Sequence, residues 1–167
     1  MKWAKLLVCI IGCELAGVIG SFFTMPAIST WYAALNKPFF SPPDWVFAPV
    51  WVILFALMGA SFYFFLETKA KHGHGKRGAK KGAEPWKSTG AKVFYLQLAL
   101  NILWSVIFFG LRMPGLAFFE ILALWLSILF TILLFGRTSK RAALLMVPYL
   151  LWVSFALGLN FMVAVLN

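Results

Sequence analysis

Residues 116–135 read LAFFEILALWLSILFTILLF, an apolar segment in which Glu120 is the one charged residue and Ser127 and Thr131 are the only other polar ones. A helix needs about 20 such residues to cross the hydrocarbon core of a bilayer, where only a helix or a closed barrel satisfies its own backbone groups. The stretch holds no Gly or Pro and lacks the period-2 alternation of a barrel strand, so it predicts a transmembrane helix. Working outward, four more runs of the same kind occupy residues 6–23, 45–65, 93–109 and 142–166. The third is short, but Lys92 can snorkel to the interface and let it reach across. The connections differ in character. Residues 24–44 are aromatic and Pro-rich, 68–92 are basic and Gly-rich, and 111–115 and 136–141 are short enough to be tight turns. The expectation is an all-α polytopic membrane protein, one bundle of five transmembrane helices over residues 1–167, with a flexible basic loop at 68–92.

Composition agrees. Of 167 residues 62% are apolar and 12% charged, and the mean hydropathy is +0.88; a soluble domain is only about half apolar. With five spans, the N-terminus and the second and fourth loops share one side. That side holds Lys2, Lys5, eight basic residues between Lys69 and Lys92, and Arg137, Lys140 and Arg141, against Lys37 and Arg112 on the other. The bias puts the N-terminus in the cytoplasm and the C-terminus outside. It also explains the net charge of +10 as topology, and because the basic residues are not interleaved with stacking aromatics no nucleic acid partner is expected. Lys2 and Lys5 before an apolar run also resemble a secretory leader, but the length of the run and Glu14 within it speak against cleavage. Clustered Lys and Arg beside a span can hold anionic lipid heads.

Eighteen Phe, eight Trp and four Tyr exceed what two interfacial belts require, so rings are expected inside the bundle. At about 100° per residue, Gln97, Asn101, Trp104 and Phe108 share one face of the third span. Tyr149, Trp152, Ala156 and Asn160 share one in the fifth, Trp51, Phe55, Met58 and Phe62 in the second, and Glu120, Ser127 and Thr131 in the fourth. Polar groups turn inward to find partners. The amides and hydroxyls alone read as glue between helices, whereas Trp51, Trp104 and Trp152 offer flat surfaces that suit a planar ligand as well as a core. Glu14 is the deepest acid, either a hydrogen-bonded structural carboxyl or a functional one. Opposite it, Gly12, Ala16 and Gly20 form a small-residue ridge fit for close helix contact, within the protomer or at a dimer seam. His72 and His74 have no acid or cysteine nearby to complete a metal site, so no metal is expected. There is no phosphate-binding Gly-rich loop and no Ser/His/Asp set. Cys9 and Cys13 lie within an apolar run where no disulfide framework is plausible.

The most specific segment is WYAALNKPFFSPPDWVFAPVW, residues 31–51. Lys37-Pro38 and Pro42-Pro43 forbid a helix there and fold the chain back, Asp44 is placed to cap the helix that follows, and a structured loop at a bundle mouth reads as a wall or lid. The segment closely resembles the W-Y-x-x-L-x-K-P and P-P-x-W-x-x-x-P-x-W signature of the tryptophan-rich sensory protein and translocator protein (TspO/MBR) family. Residues 97–101 (QLALN) with Trp104 and 108–110 (FFG) resemble that family's third span, and 148–150 (PYL) with Trp152, Ala156 and 159–160 (LN) its fifth. The resemblance implies five transmembrane helices, a homodimer, and a pocket near the first loop that binds porphyrins and small aromatic compounds as ligands and not as a fixed cofactor. Carried over by motif, its residues are Trp31, Tyr32, Pro42, Pro43, Trp51, Asn101, Trp104, Trp152 and Ala156; the stripe of the fifth span adds Tyr149. The sterol-recognition pattern of animal members wants a Tyr and then a basic residue at the end of the last helix. Residues 159–167 read LNFMVAVLN, so sterol recognition by that pattern is not expected.

Three functions follow from this reading. A receptor would hold the tetrapyrrole in the aromatic cavity, with Lys37 meeting its carboxylates. An enzyme would degrade porphyrin in a light- and oxygen-dependent reaction, a chemistry the resemblance brings with Trp51 and Trp152 as the catalytic pair. A proton-coupled transporter would use Glu14 as carrier, but the chain shows no inverted repeat.

Overall fold

The computed structural model describes residues 2–74 and 84–167. Five helices in it are long and apolar enough to cross a membrane: α1 (Lys2–Ile28), α2 (Phe47–His74), α3 (Thr89–Ser105), α4 (Pro114–Gly136) and α5 (Lys140–Leu166). Most run beyond the apolar stretches that announced them, because hydropathy marks the length in lipid and not where backbone hydrogen bonding stops. α1 continues through Pro26, with the Thr24 hydroxyl donating to the Gly20 carbonyl at 3.1 Å and the Thr30 hydroxyl to that of Pro26 at 2.9 Å. α2 passes the expected end at 65 by more than two turns, carrying a Glu67–Lys71 pair one turn apart at 3.5 Å. The start of the expected basic loop is therefore helix. Its central stretch, 75–83, and the His72 and His74 side chains lie outside the described residues.

Each helix packs on two neighbours, in the cyclic order α1, α2, α5, α4, α3 and back to α1. Antiparallel neighbours in sequence follow from the short turns after α3 and α4. In the first of these Arg112 adopts φ +57°, the left-handed conformation that lets Met113 N–H reach the Ile107 carbonyl at 3.2 Å. In the second, Ser139 caps α5 by accepting from Ala142 N–H. The first loop is fastened across the bundle: Asn36 N–H donates to Asn167 Oδ1 at 2.9 Å and Asn167 Nδ2 to the Asn36 carbonyl at 3.0 Å.

The close approach between α1 and α2 rests on Gly59. A Cβ there would strike the Ile10 Cα and stand 2.7 Å from the Cys9 carbonyl oxygen, both backbone atoms of α1. Within the protomer the expected ridge is only partly used. Ala16 and Gly20 are buried, the latter against Ser105 of α3, but Gly12 is exposed with open space around it.

The half of the bundle nearer the N-terminus is solid. Phe62 of α2 stacks on Phe94 of α3 at 4.4 Å and Phe65 on Phe135 of α4 at 4.1 Å, so rings fill the axis. Ser61 donates to the Ala142 carbonyl at 2.7 Å, tying α2 to α5. Glu120 is 9% exposed inside the bundle, and neither carboxyl oxygen has a hydrogen-bond partner among the described residues.

Candidate ligand-binding cavity

The other half of the bundle is hollow. A cavity of about 490 Å³ lies between α1, α2, α3 and α5, and α4 contributes nothing to its wall. The volume is within the roughly 300–1,000 Å³ of small-molecule sites. Of the residues expected to form a pocket, Tyr32, Trp51, Asn101, Trp104, Trp152 and Ala156 line it. Helix periodicity explains the agreement, since the stripes of α2, α3 and α5 turn toward one axis.

The polar members of those stripes bond to one another. Asn101 Nδ2 donates to the Tyr149 hydroxyl at 2.9 Å, Trp104 Nε1 to Asn160 Oδ1 at 3.0 Å, and Asn160 Nδ2 to the Pro114 carbonyl at 2.7 Å. Asn160 thereby holds the Trp104 ring by its N–H edge, while the ring is stacked at 5.0 Å on Phe108, which lines the cavity with it. Trp51 and Trp152 pack on the core and on other rings, Trp51 against Phe55 and Tyr149 at 5.6 and 6.2 Å, Trp152 against Phe155 and Phe47 at 5.6 and 6.0 Å. Neither indole N–H has a partner among the described residues, so both remain available as donors.

Five expected residues are elsewhere. Tyr149 is fully buried behind Asn101. Trp31 packs edge-on against Phe108 at 5.6 Å and is outside the wall. Pro42 and Pro43 are also outside it, and act by turning the chain so that the next residue, Asp44, enters the lining. Asp44 does not cap α2 as expected; residues 44–46 form a short 3-10 turn without a side-chain cap, and its carboxylate pairs with Lys37 at 3.6 Å. Lys37 is therefore engaged. Its ammonium also sits 4.1 Å from the centre of the Tyr32 ring, and it does not line the cavity. Burial pushes the Tyr32 phenol up, with the nearby Asp44 carboxylate adding to the effect and the Ser41 hydroxyl opposing it, so it stays a neutral hydrogen-bonding group.

Two parts of the wall escaped the sequence reading. One is the α1 face of Gly17, Ser21, Thr24 and Ile28, which lines the cavity together with Glu14; the small and hydroxyl residues at helical spacing were the available signal. The other is the end of α3. Residues Val106–Gly110 form a π-helical turn in which Leu111 N–H reaches the Val106 carbonyl at 2.8 Å. The wider turn lets the consecutive rings of Phe108 and Phe109 both face the cavity. Among the described residues no three His, Cys, Asp or Glu side chains converge as a metal site would require.

Five spanning helices with one aromatic-walled cavity between four of them define a polytopic helical membrane protein built around a small-molecule-sized site. The chain belongs to the TspO/MBR family, whose model matches residues 9–166. It is 44% identical to the tryptophan-rich protein TspO of Chlorobaculum tepidum over 162 residues, 97% of this chain and 95% of the relative. It is 39% identical to the protein of the same name from Archaeoglobus fulgidus over the whole chain, and 36% identical to the translocator protein of Homo sapiens over 87% of this chain and 79% of the human one.

Proposed function

We propose that the protein is a membrane receptor that takes planar aromatic ligands, tetrapyrroles among them, into this cavity. One observation carries the reading: Trp51, Trp104 and Trp152, on three different helices, line the same space of about 490 Å³. Indoles bury large flat areas at low cost in side-chain entropy, and names such as tryptophan-rich sensory protein, borne by a 33% identical relative from Cereibacter sphaeroides, fit a sensing role. The family resemblance adds a homodimer, lipid contacts the outward faces, and nucleic acid is not a partner. Protoporphyrin titrated in the dark should quench tryptophan fluorescence saturably at one ligand per chain. A linear, unsaturable response equal to that of empty detergent contradicts the receptor.

A second reading is favoured by the free indole N–H groups of Trp51 and Trp152 beside any bound ring: the pair takes part in light- and oxygen-dependent degradation of porphyrin. Trp51→Phe and Trp152→Phe should then keep most of the affinity, since ring area is retained, yet lose the light-driven decay of the porphyrin band beyond that seen in empty detergent. Wild-type decay in both variants at matched occupancy would leave the receptor alone standing.

The charge bias supports an orientation with the N-terminus in the cytoplasm and the C-terminus outside. A reporter fused after Asn167 is expected outside the cytoplasm and one inserted near Gly78 inside it; the reverse at both sites overturns the orientation.

A further inference from the structure

The cavity wall is electrostatically one-sided. Its charged residues are the acids Glu14 and Asp44, and among the described residues no Lys, Arg or His lines it. Asp44 is compensated by Lys37. Glu14 is not: half-buried at mid-span on α1, its carboxyl has no hydrogen bond or ion pair among the described residues. On the same helix the Ser21 hydroxyl, which also lines the cavity, is turned back to the Val18 carbonyl at 2.7 Å. The strongest donors of the α3 wall are likewise engaged inside the protein, Asn101 Nδ2 on Tyr149 and Trp104 Nε1 on Asn160. What the wall offers an incoming polar group is therefore an unpaired carboxyl, together with neutral groups such as the indole N–H of Trp51 on α2 and of Trp152 on α5. A carboxyl in such surroundings gains most from a charged donor, because a charge-assisted hydrogen bond is roughly twice as strong as a neutral one and the low local polarity amplifies it. A ligand carboxylate there would meet a like charge with no cation to offset it.

From this we propose that Glu14 is the specificity-determining residue of the cavity and that it selects aromatic ligands bearing a protonated amine, holding the ammonium at the α1 wall while the ring lies among the three indoles. The inference rests on the cavity being the ligand site. It also means that the carboxylates of a tetrapyrrole stay at the cavity mouth, outside the reach of Glu14.

Three probes of one ring system separate the two layers: pyrene, 1-pyrenemethylammonium and 1-pyrenecarboxylate, titrated into the full-length protein in zwitterionic phosphatidylcholine nanodiscs, with empty discs subtracted. The expected order of affinity is ammonium, then pyrene, then carboxylate, with the ammonium about tenfold tighter than pyrene. Glu14→Gln, nearly isosteric, should bring the ammonium level with pyrene. Saturable pyrene binding with no ammonium preference, or a preference that survives Glu14→Gln, overturns the role of Glu14 and leaves the receptor reading intact. No saturable binding of any probe overturns both. Should Glu14→Gln lose pyrene as well, Glu14→Asp decides: recovery of both probes in the wild-type order upholds the role, and failure to recover shows that Glu14 is needed only for folding.

Discussion

Gly59→Ala is expected to destabilise the protein by about 3 kcal/mol, at the upper end of what overpacking usually costs. The added methyl meets the Ile10 Cα and the Cys9 carbonyl, and backbone cannot rotate aside as a side chain can. α1 must move away from α2, and the cavity wall carried by Glu14, Gly17 and Ser21 moves with it. In detergent, the melting temperature followed by tryptophan fluorescence should fall by roughly 5–10 °C. Gly12→Ala is the matched control, since nothing lies within 4 Å of its Cβ position, and it should melt as the wild type does. Equal melting of the two variants would show that the α1–α2 contact is not closed by Gly59.

Trp104→Ala is expected to weaken pyrene or protoporphyrin binding about 10- to 50-fold, the loss of one desolvated ring face from the site. Part of the loss is indirect. Asn160 Oδ1 loses its donor and Phe108 its stacking partner at 5.0 Å, so the π-helical end of α3 is less firmly held. Trp125 supplies the comparison, because its N–H donates to Ser154 at 2.8 Å away from the cavity wall, and Trp125→Ala should change affinity by less than twofold. Similar losses in both variants would mean general loosening instead of a located site.

These two residues also show what the sequence makes legible. Trp104 and Asn101 could be placed inside from spacing alone, because an amide at mid-span has few partners except in the bundle, and a helical period carries its neighbours to the same side. Glu14 was conspicuous for the same reason. Gly59 was not, since it stands among apolar residues and its meaning depends on which turn of α1 it faces, a register that no single helix encodes. The α1 wall was hidden by a different cause. In a bilayer the lipid side and the packed side of a helix are both apolar, so Gly17 and Thr24 break no hydrophobic pattern that would point inward. Lys37 and Asp44 misled in opposite ways: a lone cation read as a ligand for carboxylates and a lone acid as a helix cap, when the Pro-rich fold of residues 38–43 brings the two together at 3.6 Å.

That the cavity is the ligand site is tested most directly by photolabelling the protein in nanodiscs with a diazirine derivative of pyrene and mapping the modified peptides, with excess pyrene as competitor. Competable labels are expected on α1 between Glu14 and Ile28, on α2 between Phe47 and Phe55, on α3 and its π-helical turn between Asn101 and Phe109, and on α5 between Trp152 and Asn160, with none on α4. Competable labelling of α4, or of outward residues such as Leu7 and Ile11 on α1 with those four segments unmodified, would contradict it.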